Sequence, residues 1–81
     1  MTKINKLIIR FQNKPKNFTW NELVRLLNHF GYDEIRGIGS RRKFINDKHQ
    51  CIVLHEPHPR KVLKMYQINQ ILTILIEENL L

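Results

Sequence analysis

From residue 2 to residue 12, Ile4, Leu7, Ile8 and Phe11 recur at three- and four-residue intervals, the period at which helical positions share one face. The spacing predicts a short amphipathic helix ending before Asn13-Lys14-Pro15, a small lid on the core. The next segment, TWNELVRLLNHFG, opens with Thr19 three residues ahead of Glu22, a pair in which each side chain can satisfy a backbone amide at a helix start. Trp20, Leu23, Val24, Leu27 and Phe30 then form one apolar stripe, and Gly31 supplies the left-handed stop.

At Tyr32 the helical period gives way to short runs, YDEIR, RRKFI and CIVLH, separated by turn residues at Gly37 to Ser40 and Asn46 to His49. An antiparallel three-stranded meander accounts for them. HEPHPRKVLKMY carries two prolines, which a helix interior or a central strand does not accept, so it is expected to be a loop. In QINQILTILIEENLL, Ile68, Ile71, Leu72 and Leu75 share the inner face of a last helix, and Ile74 falls on the far side as an exposed apolar residue available to a partner. The expected fold class is α+β in the order α-α-β-β-β-α, one domain over residues 1–81, with helices on one face of the sheet and the other face free.

Alternation along the strands assigns the sides. If Phe44 faces the helices, Arg41 and Lys43 point to the open face, and Arg42 is expected to snorkel out near the strand end. If Ile52 and Leu54 are core, His55 shares the open face with Arg41 and Lys43.

Charge sharpens what that face is for. The 81 residues hold 14 Lys plus Arg against 7 Asp plus Glu, a net charge of +7. Arg36, Arg41, Arg42, Lys43, Lys48, Arg60, Lys61 and Lys64 crowd between residues 36 and 64 against only Asp47 and Glu56. Such an excess on a small surface favours phosphate polyanions or an acidic partner. Cys51 is the one cysteine, so no intrachain disulfide forms, which fits a reducing cytoplasm. Neither end has an apolar run suited to a signal peptide or a bilayer span, so no membrane association is expected.

Of the four histidines, His29 lies within the capped helix and His49 in a turn, where a surface role suffices. His55 and His58 flank Glu56 and Pro57 beside Arg60 and Lys61, the one cluster with acid–base capacity. Imidazole can take a proton from a ribose 2′-hydroxyl or return one to a leaving 5′-oxygen, while nearby cations stabilise charge on phosphorus, with no metal or cofactor. The bland alternative is that both are loop residues hydrogen-bonding phosphate or backbone. His49, Cys51, His55 and His58 form an H-x-C-x3-H-x2-H series without the short knuckle of structural zinc sites. GIGSRRKF lacks the lysine and hydroxyl pair of a nucleotide-binding loop and opens a strand rather than a helix.

FTWNELVRLLNHFGYDE, then GSRRKF, LHEPHP and LKMYQINQILTIL, resembles the HicA toxin family, small mRNA interferases of bacterial type II toxin–antitoxin systems, from about residue 14 to residue 78. The resemblance implies a double-stranded-RNA-binding-like fold, an mRNA substrate, and neutralisation by a HicB-like antitoxin covering the active surface. Where the family has glycine, serine and a catalytic histidine, this chain has Gly39, Ser40 and Arg41, and a guanidinium does not act as a general base near neutral pH. Three outcomes stay open. His55 or His58 performs the proton transfer; or the protein binds RNA and blocks translation without cutting, with Arg41, Arg42 and Lys43 holding phosphate; or it chiefly complexes the antitoxin. The RNA-binding candidates are Arg36, Arg41, Arg42, Lys43, Arg60, Lys61 and Lys64. An ordinary duplex-RNA-binding module ranks behind these, because Lys61 and Lys64 precede the last helix but 66–70 contains no cation.

Overall fold

The computed structural model describes residues 3–48 and 50–81; His49 and its predicted turn position lie outside the described residues. These form α1 (Lys3–Gln12), α2 (Trp20–His29), β1 (Asp33–Arg36), β2 (Arg41–Ile45), β3 (Cys51–His55) and α3 (Met65–Glu77), an α+β fold in the expected order.

The α2 start uses the capping pair in full. The Glu22 amide donates to the Thr19 hydroxyl at 3.2 Å, and the Thr19 amide donates to the Glu22 carboxylate at 3.0 Å. At the other end Gly31 adopts φ +90°, a conformation that favours glycine. The inner stripe holds Trp20, Leu23, Leu26 and Leu27 fully buried, with Val24 and Phe30 at its margin. Leu26 was absent from the predicted stripe because a helix buried under both α1 and the sheet has a wider apolar face than one row.

α1 packs as a lid, burying Leu7 and Phe11 and laying Ile4 and Ile8 against the core. The Phe11 ring sits 5.1 Å from that of Phe18. Arg10 fastens this lid: its guanidinium donates to the Glu22 carboxylate and to Asn17, and lies 5.1 Å from the centre of the Phe18 ring.

Burial pushes the Glu22 carboxyl up, but hydrogen bonds from the Thr19 amide, Arg10 and the Thr19 hydroxyl together outweigh it and hold the group below its ordinary value of 4.5. A carboxylate depressed in the folded state stabilises fully above its unfolded value and loses that contribution as pH falls through the folded one. Melting temperature is therefore expected to decline as pH drops below 4.5, more steeply for the wild type than for Glu22→Gln, as thermal melts across acidic pH would record.

The sheet order is β1-β2-β3, antiparallel throughout. Phe44 is opposite Glu34 on one side and Ile52 on the other, and with Ile52 and Leu54 it faces the core, 5.7 Å from the Trp20 ring. The core also takes Phe18, Tyr32, Leu63, Ile68, Ile71 and Leu75.

Two expectations are corrected near the C-terminal helix. α3 begins at Met65, two residues inside the predicted loop, because the last proline is Pro59 and nothing after it opposes helical geometry. Ile74 is half-buried against the core rather than exposed, and near it Ile76, at 53%, faces outward instead. Past the helix, Leu80 and Leu81 fold back, their amides donating to the Leu75 carbonyl, and they too pack on the core. The loop before α3 is pinned too, since Trp20 N donates to Lys61 O at 2.9 Å and Leu63 N to Phe18 O at 2.8 Å.

Candidate functional site

The β2–β3 register sets Arg41 directly across from His55 and Lys43 across from Val53. Neighbouring strands lie about 4.8 Å apart, so these facing residues share one local environment. Cys51, Val53 and His55 are exposed while Ile52 and Leu54 are buried, which places His55, Arg41 and Lys43 together on the sheet face away from the helices. Ile35 lies opposite Lys43 on the same face, and Gly37, Ile38, Arg41, Lys43 and His55 surround a shallow depression.

His55 is held from three directions. Its Nδ1 lies 3.4 Å from the Ser40 hydroxyl, so Nε2 is the ring nitrogen that Ser40 does not engage. Its carbonyl accepts from Gln67 Nε2 at 2.9 Å, and Gln67 Oε1 accepts from the Lys64 amide at 3.0 Å. Gln67 is 2% exposed, so the end of β3 is tied to the start of α3 by a buried, doubly bonded amide. The ladder continues one residue beyond the strand, with Glu56 N donating to Ser40 O at 2.8 Å.

Arg42 departs from expectation. It faces the helices with Phe44, but its guanidinium does not snorkel to solvent: it lies 3.0 Å from the Glu56 carboxylate, whose side chain is 7% exposed. It also donates to the Gly39 carbonyl at 2.7 Å and the Arg41 carbonyl at 2.9 Å. The other Glu56 oxygen is 3.3 Å from Lys61 Nζ. A buried carboxylate close to the strand end outcompetes water for the guanidinium, because the carboxylate would otherwise be desolvated without a counter-charge. Arg42 and Glu56 thereby brace the 39–41 turn against the 55–57 segment, and Gly39 adopts φ +64° within that turn.

His58 reaches the same place from the loop. Ser40, His55, Glu56, Pro57, His58, Lys64, Tyr66 and Gln67 line one recess of about 240 Å³ at the rim of the open face. The two histidines singled out by sequence therefore share a pocket, with Lys64 beside them. The other candidate cations are distributed around it: Arg41 and Lys43 on the open face, Lys61 against Glu56, Arg60 exposed in the loop, and Arg36 exposed at the end of β1 opposite Arg42. His29 is exposed and stacks edge-on against Phe30 at 5.1 Å. Among the described residues no group of three or more His, Cys, Asp or Glu side chains is arranged to hold a metal ion; Cys51 and His55 stand at opposite ends of β3, about 13 Å apart along an extended strand.

Sequence reasoning missed Gln67 and Glu56 as positioning residues. Gln67 had a usable signal, being a polar residue one helical turn before Ile71 on the inward face of α3. Glu56 had none beyond its rarity as an acid amid cations.

The architecture and its surface define a class: a small α+β protein whose sheet bears helices on one face and, on the other, cations grouped around a histidine pocket. Residues 20–75, more than half of the chain, match the family model described as HicA toxin of bacterial toxin–antitoxin. The chain belongs to the HicA toxin family and is a toxin-type component of a toxin–antitoxin system. No curated protein and no solved structure matches it. No helix among the described residues is long and apolar enough to cross a membrane.

Proposed function

We propose that the protein is a cytoplasmic endoribonuclease toxin that binds mRNA on its open sheet face and cleaves it by metal-independent acid–base chemistry, until a HicB-like antitoxin covers that face. The observation that carries this reading is the meeting of His55 and His58 in one recess, with Arg41 directly across the ladder from His55. Arg41 stands where the family resemblance implies a catalytic histidine, and the imidazole one strand over takes its place.

In this scheme His55 Nε2 accepts the proton of a ribose 2′-hydroxyl as the 2′-oxygen attacks the adjacent phosphorus. The bond from phosphorus to the 5′-oxygen breaks, and protonated His58 gives its proton to that leaving oxygen. The products are a 2′,3′-cyclic phosphate and a 5′-hydroxyl. His55 ends protonated and His58 neutral, and solvent restores both. Arg41 and Lys43 hold the phosphate and stabilise the charge that grows on its oxygens, cations being fixed donors that need no reorganisation during the step.

Incubating purified wild type with RNA in the presence of a chelator, and identifying the new ends, tests the reading. Cyclic phosphate ends support it, whereas intact RNA that is nevertheless bound moves the protein to a non-cleaving, translation-blocking role. Affinity should fall steeply with salt, and Lys43→Ala should reduce the slope of log K against log salt by roughly 0.7, the value for one lost contact to single-stranded phosphate. An unchanged slope would remove Lys43 from the interface.

A further inference from the structure

Tyr66 sits on the rim of the His55 recess with 62% of its surface exposed. An aromatic ring usually finds apolar cover, and a tyrosine hydroxyl usually finds a partner. Among the described residues the Tyr66 side chain has neither a hydrogen bond nor a ring contact. Its backbone is nevertheless firmly placed, because the next residue is the buried Gln67 bonded to the His55 carbonyl. The ring is thus presented from an anchored helix start at the rim of the recess that His55 also lines, with most of the residue's surface left to solvent.

The surroundings narrow what could use that surface. Lys64 lies just before the helix, and α3 itself contains no lysine or arginine. A duplex-RNA grip draws on a run of cations at a helix start, spanning phosphates across a groove. Cations ahead of the helix next to an exposed aromatic are instead the combination that tracks a single strand, the cations on the backbone and the ring against a base. The chemistry agrees, since attack in line by a 2′-oxygen requires the nucleotide to rotate out of A-form geometry, which an unpaired base does at small cost.

We infer that Tyr66 is a stacking platform for an unpaired base beside the scissile phosphate. This rests on the RNA-cleaving role proposed above and specifies the residue that positions the substrate.

The test separates binding from cleavage by using the full chain carrying His55→Ala, with a fluorescein-labelled oligoribonucleotide presented alone or annealed to its complement. Anisotropy titrations should show tighter binding to the single strand. Adding Tyr66→Ala or Tyr66→Leu should weaken that binding roughly 5- to 150-fold, the range for one lost base–aromatic stack, and leave duplex binding unchanged. Tyr66→Phe should retain it, because the ring and not the hydroxyl carries the contact, and it also controls for folding. Equal or tighter duplex binding, or full affinity in Tyr66→Leu, overturns the inference. Failure of wild type to generate cyclic phosphate ends while the Tyr66 series behaves as stated would sink the cleavage reading alone; cleavage with an insensitive Tyr66 series would sink only this one.

Discussion

Replacing His55 by alanine is expected to lower the rate of RNA cleavage about 100- to 10,000-fold, the range for loss of a positioned general base. Melting temperature should hardly move, because the imidazole is exposed and its one side-chain hydrogen bond is the 3.4 Å contact with Ser40. RNA affinity should also persist, since Arg41 and Lys43 keep their places on the open face. The loss therefore belongs in kcat rather than KM, as expected for an interaction made in the transition state. Single-turnover cleavage with wild type and variant would measure it, and growth arrest on expression would follow the same order. A variant that cleaves at the wild-type rate would remove His55 from the chemistry and return attention to His58.

Replacing Glu56 by alanine is expected to destabilise the fold by about 3 kcal/mol, toward the lower end for breaking a buried ion pair by deleting one partner. The reason is asymmetry. The Arg42 side chain is only 12% exposed, and without the carboxylate its guanidinium keeps two backbone carbonyls but no counter-charge. For a domain of this length the change corresponds to a drop of roughly 12 to 24 °C in melting temperature. Removing both charges in a Glu56→Leu, Arg42→Met variant should recover most of that stability, since apolar side chains of similar volume often replace a buried pair without cost. Denaturant melts of Glu56→Leu, Arg42→Met and the double variant form the cycle that isolates the pair. If the single variant melts like wild type, the pair does not brace the turn and Arg42 is free to be a phosphate ligand.

That cycle bears on the assignment of the cation cluster. Eight basic residues between positions 36 and 64 look alike in a sequence, but they are spent differently in the fold. Arg42 neutralises Glu56 and holds two carbonyls; Lys61 shares the same carboxylate; Arg41 and Lys43 remain on the open face. Charge counting detects the excess without revealing which members are committed to an internal partner, because the partner is fourteen residues from Arg42 in sequence and meets it only when β2 and β3 pair.

The two histidines illustrate the opposite case. His55 could be assigned to the open face from alternation alone, once Phe44, Ile52 and Leu54 were taken as core. The boundary of α3 was less accessible, since two prolines made the whole stretch from His55 to Tyr66 look like loop although both precede Arg60. That shift is what turns Tyr66 from a loop residue into a ring presented by a helix, and Gln67 into a buried anchor for His55.

Local chemistry was sufficient for the capped α2, the helical stop at Gly31, the strand limits of β2 and β3 and the faces of their residues. Capping, periodicity and alternation act between residues at most four apart, so the chain carries them in plain order. Three things waited for the packed molecule: the pairing of Arg42 with Glu56, the half-burial of Ile74 against the core, and the joining of Ser40, His55, His58, Lys64 and Tyr66 around one recess. Each depends on which desolvated group finds which partner across separate elements, and that competition is decided only when the sheet, the loop and α3 close on a common core.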